Sequence, residues 1–126
     1  MKLAGLGIDV LSISRAKKFL TRQTSDSLSR VLCPSERKCL PRLSPLQFAK
    51  IFTAKEAFYK ASQTPMTGLY AFSELEVKLL PHEHFEIKWL RSSGLKKAPK
   101  VSGCHFVTSD YVGAQVILWE PSSGSR

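Results

Sequence analysis

Three polar residues of this chain, Asp9, Glu56 and Lys60, are of types that could carry out chemistry. Asp9 closes the apolar, glycine-containing segment 3–8, so a carboxylate follows directly on a predicted strand. Glu56 and Lys60 are four residues apart, which places both side chains on one face of a helix, where such a pair ordinarily contributes about 0.2–0.5 kcal/mol as a surface ion pair. A carboxylate and an ammonium at this spacing, beside the small hydroxyl of Thr53, could instead face one site.

The helix that carries Glu56 and Lys60 has the strongest helix signals in the sequence. Ser44 is placed as an N-cap, Pro45 as the first helical residue and Gln47 as the partner in a capping box. We expect the helix to end before Pro65, because the residue ahead of a proline disfavours the α conformation. Thr53 is expected to share the face of Glu56 and Lys60. The opposite, inward stripe comprises Ile51, Ala54, Phe58 and Ala61.

Basic residues dominate the composition and concentrate on a second predicted helix, residues 12–22. The chain of 126 residues has a net charge of +9, which favours anionic partners: nucleic acid, an anionic membrane, a phosphorylated cofactor or an acidic protein. In the second helix Arg15, Lys18 and Arg22 form one stripe, without an acidic residue between them. A solvated surface is the ordinary explanation of such a stripe, and a docking surface for an acidic partner is the alternative.

The length and composition predict one folded domain, residues 1–120, followed by a polar tail, residues 121–126. No apolar run approaches the roughly 20 residues of a membrane span, and no leader pattern is present, so a cytoplasmic location is expected. Cys33, Cys39 and Cys104 are too few and too irregularly spaced for a disulfide framework or a zinc site. A nucleophilic Cys104 beside a histidine is disfavoured, because neighbouring strand residues face opposite ways.

Beyond the main helix the hydrophobic period changes to two, which predicts a small antiparallel sheet. Segments 75–79 and 85–89 alternate apolar and polar residues, and the Pro81–Glu83 turn makes them a hairpin. Residues 111–119 form the last predicted strand, with 101–105 before it. His82 and His84 flank Glu83, and a solvated turn is favoured there over a metal site. Earlier in the chain, residues 2–8 predict a short buried strand, residues 21–29 a turn or helix end, and Pro34 or Ser35 the start of a short helix.

Two motifs resemble those of the 4′-phosphopantetheinyl transferases, most closely their short, holo-acyl-carrier-protein synthase type. The first is Gly5-Leu-Gly-Ile-Asp9 with Arg15 six residues further on, and the second is Phe52-Thr-Ala-Lys-Glu-Ala-Phe-Tyr-Lys-Ala61. Both occur in the family's order and separation. The resemblance is weaker in the second half, and the family's glycine-containing loop is replaced by Gln63-Thr64-Pro65.

The resemblance implies an α+β fold, with a small antiparallel sheet packed against a long central helix and shorter helices. It implies Mg²⁺-dependent transfer of 4′-phosphopantetheine from coenzyme A to a serine of an apo acyl carrier protein, in fatty acid biosynthesis. Asp9 and Glu56 would bind the metal, Glu56 and Lys60 would be catalytic, and Arg15, Lys18 and Arg22 would dock the acidic carrier protein. Candidate ligands of the coenzyme A phosphates are Lys50, Lys55, Lys60 and His105.

The resemblance also implies a homotrimer with a site at each subunit boundary. Two other functions stay open at this point. One is a small basic nucleic-acid-binding domain, although its aromatic residues have core spacing and are not interleaved with the basic ones. The other is a relative that binds coenzyme A without turnover, which the retention of Asp9, Glu56 and Lys60 disfavours.

Overall fold

A computed structural model describes residues 2–62, 72–90 and 100–120. The chain forms five strands and four α-helices there, joined partly by short 3₁₀ turns. The strands are β1 (Lys2–Ser12), β2 (Leu75–Leu79), β3 (His84–Trp89), β4 (Lys100–Val107) and β5 (Tyr111–Glu120). The helices are α1 (Ile13–Arg22), α2 (Ser25–Val31), α3 (Pro34–Lys38) and α4 (Pro45–Ser62).

The five strands form one antiparallel sheet in the order β1-β5-β4-β3-β2. Strand β1, the first in the chain, therefore pairs with the last, and β2 is the opposite edge. The predicted hairpin is confirmed, with β2 and β3 paired from Leu75–Trp89 to Leu79–Phe85. This order places the N-terminal carboxylate strand at one edge of the sheet, beside β5.

Helix α4 crosses one face of the sheet and forms the centre of the core. Its predicted capping box is confirmed: the Gln47 amide donates to Ser44 Oγ at 3.1 Å, and the Ser44 amide donates to the Gln47 side chain at 3.0 Å. The predicted inward stripe is buried, and it packs against the alternate residues of β5 that face the helix. Those β5 residues are Val112, Ala114, Val116 and Leu118.

Strand β1 differs from its prediction as a buried strand. Its helix-facing side is small and buried at Gly5 and Gly7, but Leu6, Ile8 and Val10 on the other side are about half exposed. The apolar residues of β1 therefore belong to two different surfaces. One side packs on α4, and the other leaves an apolar surface uncovered in the single chain.

The region predicted as a turn, residues 21–29, contains α2 (Ser25–Val31). The Ser27 amide donates to Thr24 Oγ1, an N-cap hydrogen bond, and Leu28 is buried in the core. One apolar anchor and a capping threonine were therefore sufficient for a short helix despite the polar sequence. Helix α3 begins at Pro34, as predicted.

The predictions for the Gln63–Pro65 segment and for the tail, residues 121–126, lie outside the described residues. Within the described part of the chain, no helix is both long and apolar enough to cross a membrane.

Candidate active site

Asp9 and Lys60 meet where β1 passes beneath α4. Asp9 lies on the helix-facing side of β1, and its Oδ1 accepts a hydrogen bond from Lys60 Nζ at 2.9 Å. Lys60 also donates to the Ile8 carbonyl at 3.3 Å. The Asp9 side chain is 17% exposed and that of Lys60 51% exposed, so the pair opens to solvent on the lysine side. The Lys60 ammonium is therefore accessible to an anionic ligand.

Two glycines set how closely the helix approaches the strand. A Cβ atom on Gly5 would lie 1.9 Å from the Ala61 carbonyl oxygen, and one on Gly7 would lie 1.9 Å from the Ala57 carbonyl oxygen. Both distances are far below van der Waals contact, so the backbone of α4 rests directly on β1. Asp9 follows two residues after Gly7 on the same side, which brings its short side chain within reach of the helix.

Glu56 lies close enough to Asp9 and Lys60 for both charges to affect its carboxyl group. Burial raises the pKa of the Glu56 carboxyl, the nearby Asp9 carboxylate raises it further, and Lys60 partly opposes both effects. Two carboxylates thus repel each other at a half-exposed position, where a cation would relieve the repulsion. Carboxylate oxygens beside open solvent are the donors that Mg²⁺ prefers, so Asp9 and Glu56 fit a magnesium site.

Thr53 does not belong to this cluster, contrary to its predicted position. Its side chain is fully buried and donates to the Ala49 carbonyl at 2.7 Å. A helical hydroxyl can bond the carbonyl four residues back when it faces the interior. The functional face of α4 is therefore formed by Glu56 and Lys60.

The burial of Lys55 corrects its predicted role as a phosphate ligand. Its side chain is 0% exposed, and Nζ donates to Glu36 Oε1, the Val31 carbonyl and the Phe72 carbonyl at 2.6, 2.7 and 2.8 Å. An ammonium has three protons, so all of its donors are used. Burial lowers the pKa of Lys55, and Glu36 opposes that change.

Lys50 and His105 lie together, and the sheet register places His105 level with Asp9, two strands across, with Ala114 of β5 between them. His105 is buried and its Nε2 donates to the Lys50 carbonyl at 2.7 Å, while Lys50 Nζ pairs with Glu83 Oε1 at 2.7 Å. Lys50 precedes Glu56 by six residues, about 9 Å along a helix. Burial lowers the pKa of His105, whereas the hydrogen bond from Lys50 lowers that of Glu83. The roles of Lys50 and His105 as coenzyme A ligands stay predictions.

The three predicted docking residues are exposed on one helix. Arg15, Lys18 and Arg22 lie on α1, whose inner side buries Ala16 and packs on α4. Helix α1 begins where β1 ends, with Ser12 as its N-cap. The basic stripe is therefore held close to the strand that carries Asp9.

The remaining chemically reactive side chains do not build a second cluster. Cys104 and His105 face opposite sides of the sheet, as expected. His82 lies in the hairpin turn with a positive φ of 60°. In the described ranges, no group of three or more His, Cys, Asp or Glu side chains is placed to hold a metal ion.

The burial of Glu36 and its contact with Lys55 were not predicted from the sequence. Glu36 is 6% exposed, its Oε1 accepts from the Cys33 amide and from Lys55, and its Oε2 accepts from the Val77 amide. A weak signal was present, because Glu36 stands three residues after the N-cap Cys33, where a capping-box glutamate is placed. Nothing in the sequence linked it to Lys55.

The fold and the cluster define a small α+β protein in which a sheet-edge aspartate meets a glutamate–lysine pair on the central helix. A family model for the 4′-phosphopantetheinyl transferase superfamily matches residues 5–116, and the chain belongs to that superfamily. The resemblance drawn from the two motifs is therefore confirmed.

Individual relatives agree with this assignment. A holo-[acyl-carrier-protein] synthase of Maridesulfovibrio salexigens is 31% identical over 92% of this chain and 98% of its own length. One from Solidesulfovibrio magneticus is 40% identical, over 60% of this chain and 61% of its own length. The match therefore spans only about three fifths of that more similar relative.

Solved structures confirm the predicted fold. The holo-[acyl-carrier-protein] synthase of Neisseria meningitidis superposes with a TM-score of 0.76 at 25% identity, covering 94% of this chain and 99% of that one. The Bacillus anthracis enzyme, solved in complex with CoA (3′,5′-ADP), has a TM-score of 0.76 at 23% identity, covering 96% and 100%. The predicted sheet and central helix are those of this fold.

Proposed function

We propose that this chain is a holo-[acyl-carrier-protein] synthase. It transfers the 4′-phosphopantetheine group of coenzyme A to a serine of an apo acyl carrier protein and releases 3′,5′-ADP. The observation that carries the proposal is the meeting of Asp9, Glu56 and Lys60 at one solvent-open position in a chain of this superfamily. A domain that merely binds coenzyme A has no need of a repelling carboxylate pair.

The reaction requires a weak nucleophile to attack a highly charged group. The serine oxygen bonds to the phosphorus that bears the pantetheine arm, and the bond from that phosphorus to the oxygen of 3′,5′-ADP breaks. The serine proton passes to Glu56, directly or through a water molecule. Burial and the Asp9 carboxylate raise the pKa of the Glu56 carboxyl, which makes Glu56 a stronger proton acceptor than an ordinary glutamate.

Lys60 supports the leaving side of the reaction. Its side chain is half exposed, so it can exchange the Asp9 carboxylate for an oxygen of the pyrophosphate. Charge that develops on the departing phosphate is then stabilised by the Lys60 ammonium. When bound between Asp9 and Glu56, Mg²⁺ would supply neutralisation of the pyrophosphate charge.

The partner of the reaction is proposed to dock on α1. An acyl carrier protein of acidic surface would meet Arg15, Lys18 and Arg22, and the reaction would serve fatty acid biosynthesis in the cytoplasm. The positions of these three side chains support the proposal, because all are exposed on a helix next to β1. We further propose a homotrimer, since the single chain leaves an apolar sheet surface uncovered.

The aromatic side chains give no support to nucleic-acid binding. Phe48, Phe58 and Phe85 are at most 2% exposed, and Phe52 and Trp89 are partly buried and packed against the core. Rings in these positions are not available to stack on bases.

Intact-protein mass spectrometry tests the proposal. An apo acyl carrier protein incubated with this chain, coenzyme A and MgCl₂ should gain the mass of one phosphopantetheine group. Asp9→Ala and Glu56→Ala should each lower the rate by more than about 10²-fold, whereas Glu86→Ala, an exposed carboxylate on β3, should not. Binding of coenzyme A without any mass gain would support the non-catalytic alternative instead.

A further inference from the structure

Lys55 and Glu36 are charged, fully interior and outside the proposed chemistry, and these facts require an explanation. Burying an ion pair costs desolvation that its mutual attraction often fails to offset, so such a pair is weak evidence for added stability. Here the hydrogen-bonding groups of both side chains have partners: Lys55 Nζ has three acceptors, and both carboxylate oxygens of Glu36 have donors. These hydrogen bonds require one arrangement of the two side chains, so the pair can fix the position of the elements that carry them.

The network joins the helix to four other parts of the chain. Through Lys55, α4 is tied to the end of α2 at Val31 and to Phe72. Through Glu36 it is tied to Cys33, at the start of α3, and to Val77 on β2. These ties lie on the side of α4 that faces α3 and β2, away from β1.

The opposite side of α4 rests on Gly5 and Gly7. That contact is smooth, since two glycines offer no side chain that interlocks with the helix. On this side the seat fixes the height of the helix but adds little resistance to rotation about its axis, so that resistance must come from the buried stripe on β5 and from the ties on the opposite side. Lys55 precedes Glu56 by one residue, so a tie at Lys55 fixes the direction in which Glu56 points.

A small rotation of α4 about its axis would displace the ends of the Glu56 and Lys60 side chains far enough to slow the reaction. Side chains extend about 5–6 Å from a helix axis, so a rotation of about 10° moves a terminal group by about 1 Å. A displacement of about 1 Å at a reacting group can lower a rate about 10²-fold.

We propose that the buried Lys55–Glu36 pair sets the rotation of α4, and that Lys55 is thereby a positioning residue for Glu56 and Lys60 opposite Asp9. This inference rests on the proposed function for its kinetic consequence. Its structural consequence, the Lys60–Asp9 ion pair, is independent of any reaction.

The test needs a variant that removes the tie without leaving a charge buried. Lys55→Met alone leaves the Glu36 carboxylate uncompensated and can prevent folding. The double variant Lys55→Met/Glu36→Gln is neutral and similar in size, and the new amide can still accept from a backbone N–H and donate to a carbonyl freed by Lys55. Ile87→Ala, a buried position on β3, is the control for a general loss of packing.

Three measurements are compared: the melting temperature, kcat and KM for transfer, and the Lys60 Nζ–Asp9 Oδ1 distance in a crystal structure of each variant. We expect the double variant to stay folded, to lengthen that distance beyond 4 Å from 2.9 Å, and to lower kcat at least about tenfold. Ile87→Ala should melt earlier but keep the short distance and kcat.

A folded double variant with the ion pair unchanged and kcat within about twofold of the wild type would overturn the inference. A wild-type protein that transfers nothing would instead refute the proposed function. The Lys60–Asp9 distance would still decide the role of Lys55.

Discussion

At the scale of single residues, the site is a compromise between charge and burial. Asp9 and Glu56 repel each other, and Lys60 offsets part of that repulsion through its 2.9 Å contact with Asp9. Groups placed for a ligand are often unfavourable for the free protein, because stability and activity compete at such positions. The effect of Glu56 on the stability of the free protein therefore tests the charge arrangement of the site without any substrate.

Glu56→Gln should stabilise the metal-free protein at neutral pH. The folded-state pKa of Glu56 lies above its ordinary value of 4.5. Its contribution to stability is therefore complete below that value and is lost as pH rises through the raised pKa. The variant has no such loss, so its melting temperature should exceed the wild-type value by a few degrees at pH 7 and equal it near pH 4.

Thermal melts across this pH range in buffer with EDTA provide the measurement. Chelation matters because a bound cation would stabilise the wild-type carboxylate and reverse the sign. A variant less stable than the wild type at pH 7 would show that attraction to Lys60 outweighs burial and the Asp9 charge.

At the scale of elements, the site depends on how α4 is seated between β1 and the α3–β2 side. The sequence predicted the helix, its cap and its buried stripe, because those follow from local spacing. It did not predict that Thr53 and Lys55 are interior, since a threonine and a lysine on a helix are usually exposed. Their burial depends on Ala49, Glu36 and the chain reversals that bring distant segments together.

In the strands and in helix α2, too, local spacing was predictable from the sequence and contacts with distant segments were not. Hydrophobic alternation placed β2, β3 and β5 within a residue or two, but the apolar run at the N-terminus did not show that only one side of β1 is covered. Asp9, Glu56 and Lys60 could be grouped from motif resemblance, and the structure brings them together. Helix α2 was missed because its polar sequence has one deeply buried residue, Leu28.

The seat of α4 predicts a large difference between two glycine substitutions. Gly7→Ala places a methyl group 1.9 Å from the Ala57 carbonyl oxygen, and backbone cannot easily move aside. We expect a loss of stability of about 1–3 kcal/mol together with a loss of transfer activity. Urea unfolding and the mass-spectrometric assay measure both.

Gly113→Ala is the matched control on β5. Its new methyl group would meet the Phe106 ring at 2.0 Å, but Phe106 is an exposed side chain that can rotate away. Its effect on stability should be well below that of Gly7→Ala. Equal effects at the two positions would mean that the close approach of α4 to β1 has no special importance.

The basic stripe of α1 predicts a selective kinetic effect. Arg15→Glu or Lys18→Glu should raise the KM for the carrier protein and leave the KM for coenzyme A nearly unchanged. Both side chains are exposed, and exposed charges at a docking surface act mainly on the rate at which an oppositely charged protein associates. Added salt should weaken the wild-type interaction, as expected for charges screened over about 8–10 Å. Equal changes in both KM values would place the docking surface elsewhere.

At the scale of the whole molecule, the sheet has one covered face and one uncovered face. On the covered face, the alternate β5 residues from Val112 to Leu118 pack against α4. The outer face instead presents Leu6, Ile8 and Val10 of β1 and Phe106 of β4, each 48–53% exposed. Ile117 pairs with Leu6 on this face and is partly exposed.

This outer face is where we predict that copies of the chain meet in a trimer. Closed symmetry would cover three such faces without leaving a free one for further association. Ile8→Glu introduces a charge at the centre of the face without touching α4, so the variant should fold as a monomer. If each site is shared between neighbours, its transfer activity should fall with the trimer.

Sedimentation equilibrium measures the mass directly, with Leu79→Glu as the control. Leu79 is 40% exposed on β2, at the opposite edge of the sheet, so a charge there should leave the trimer intact. A wild-type protein that sediments as a monomer with full activity would refute the shared site. The chemistry of Asp9, Glu56 and Lys60 would then have to be complete within one chain, and Ile8→Glu should have no effect on kcat.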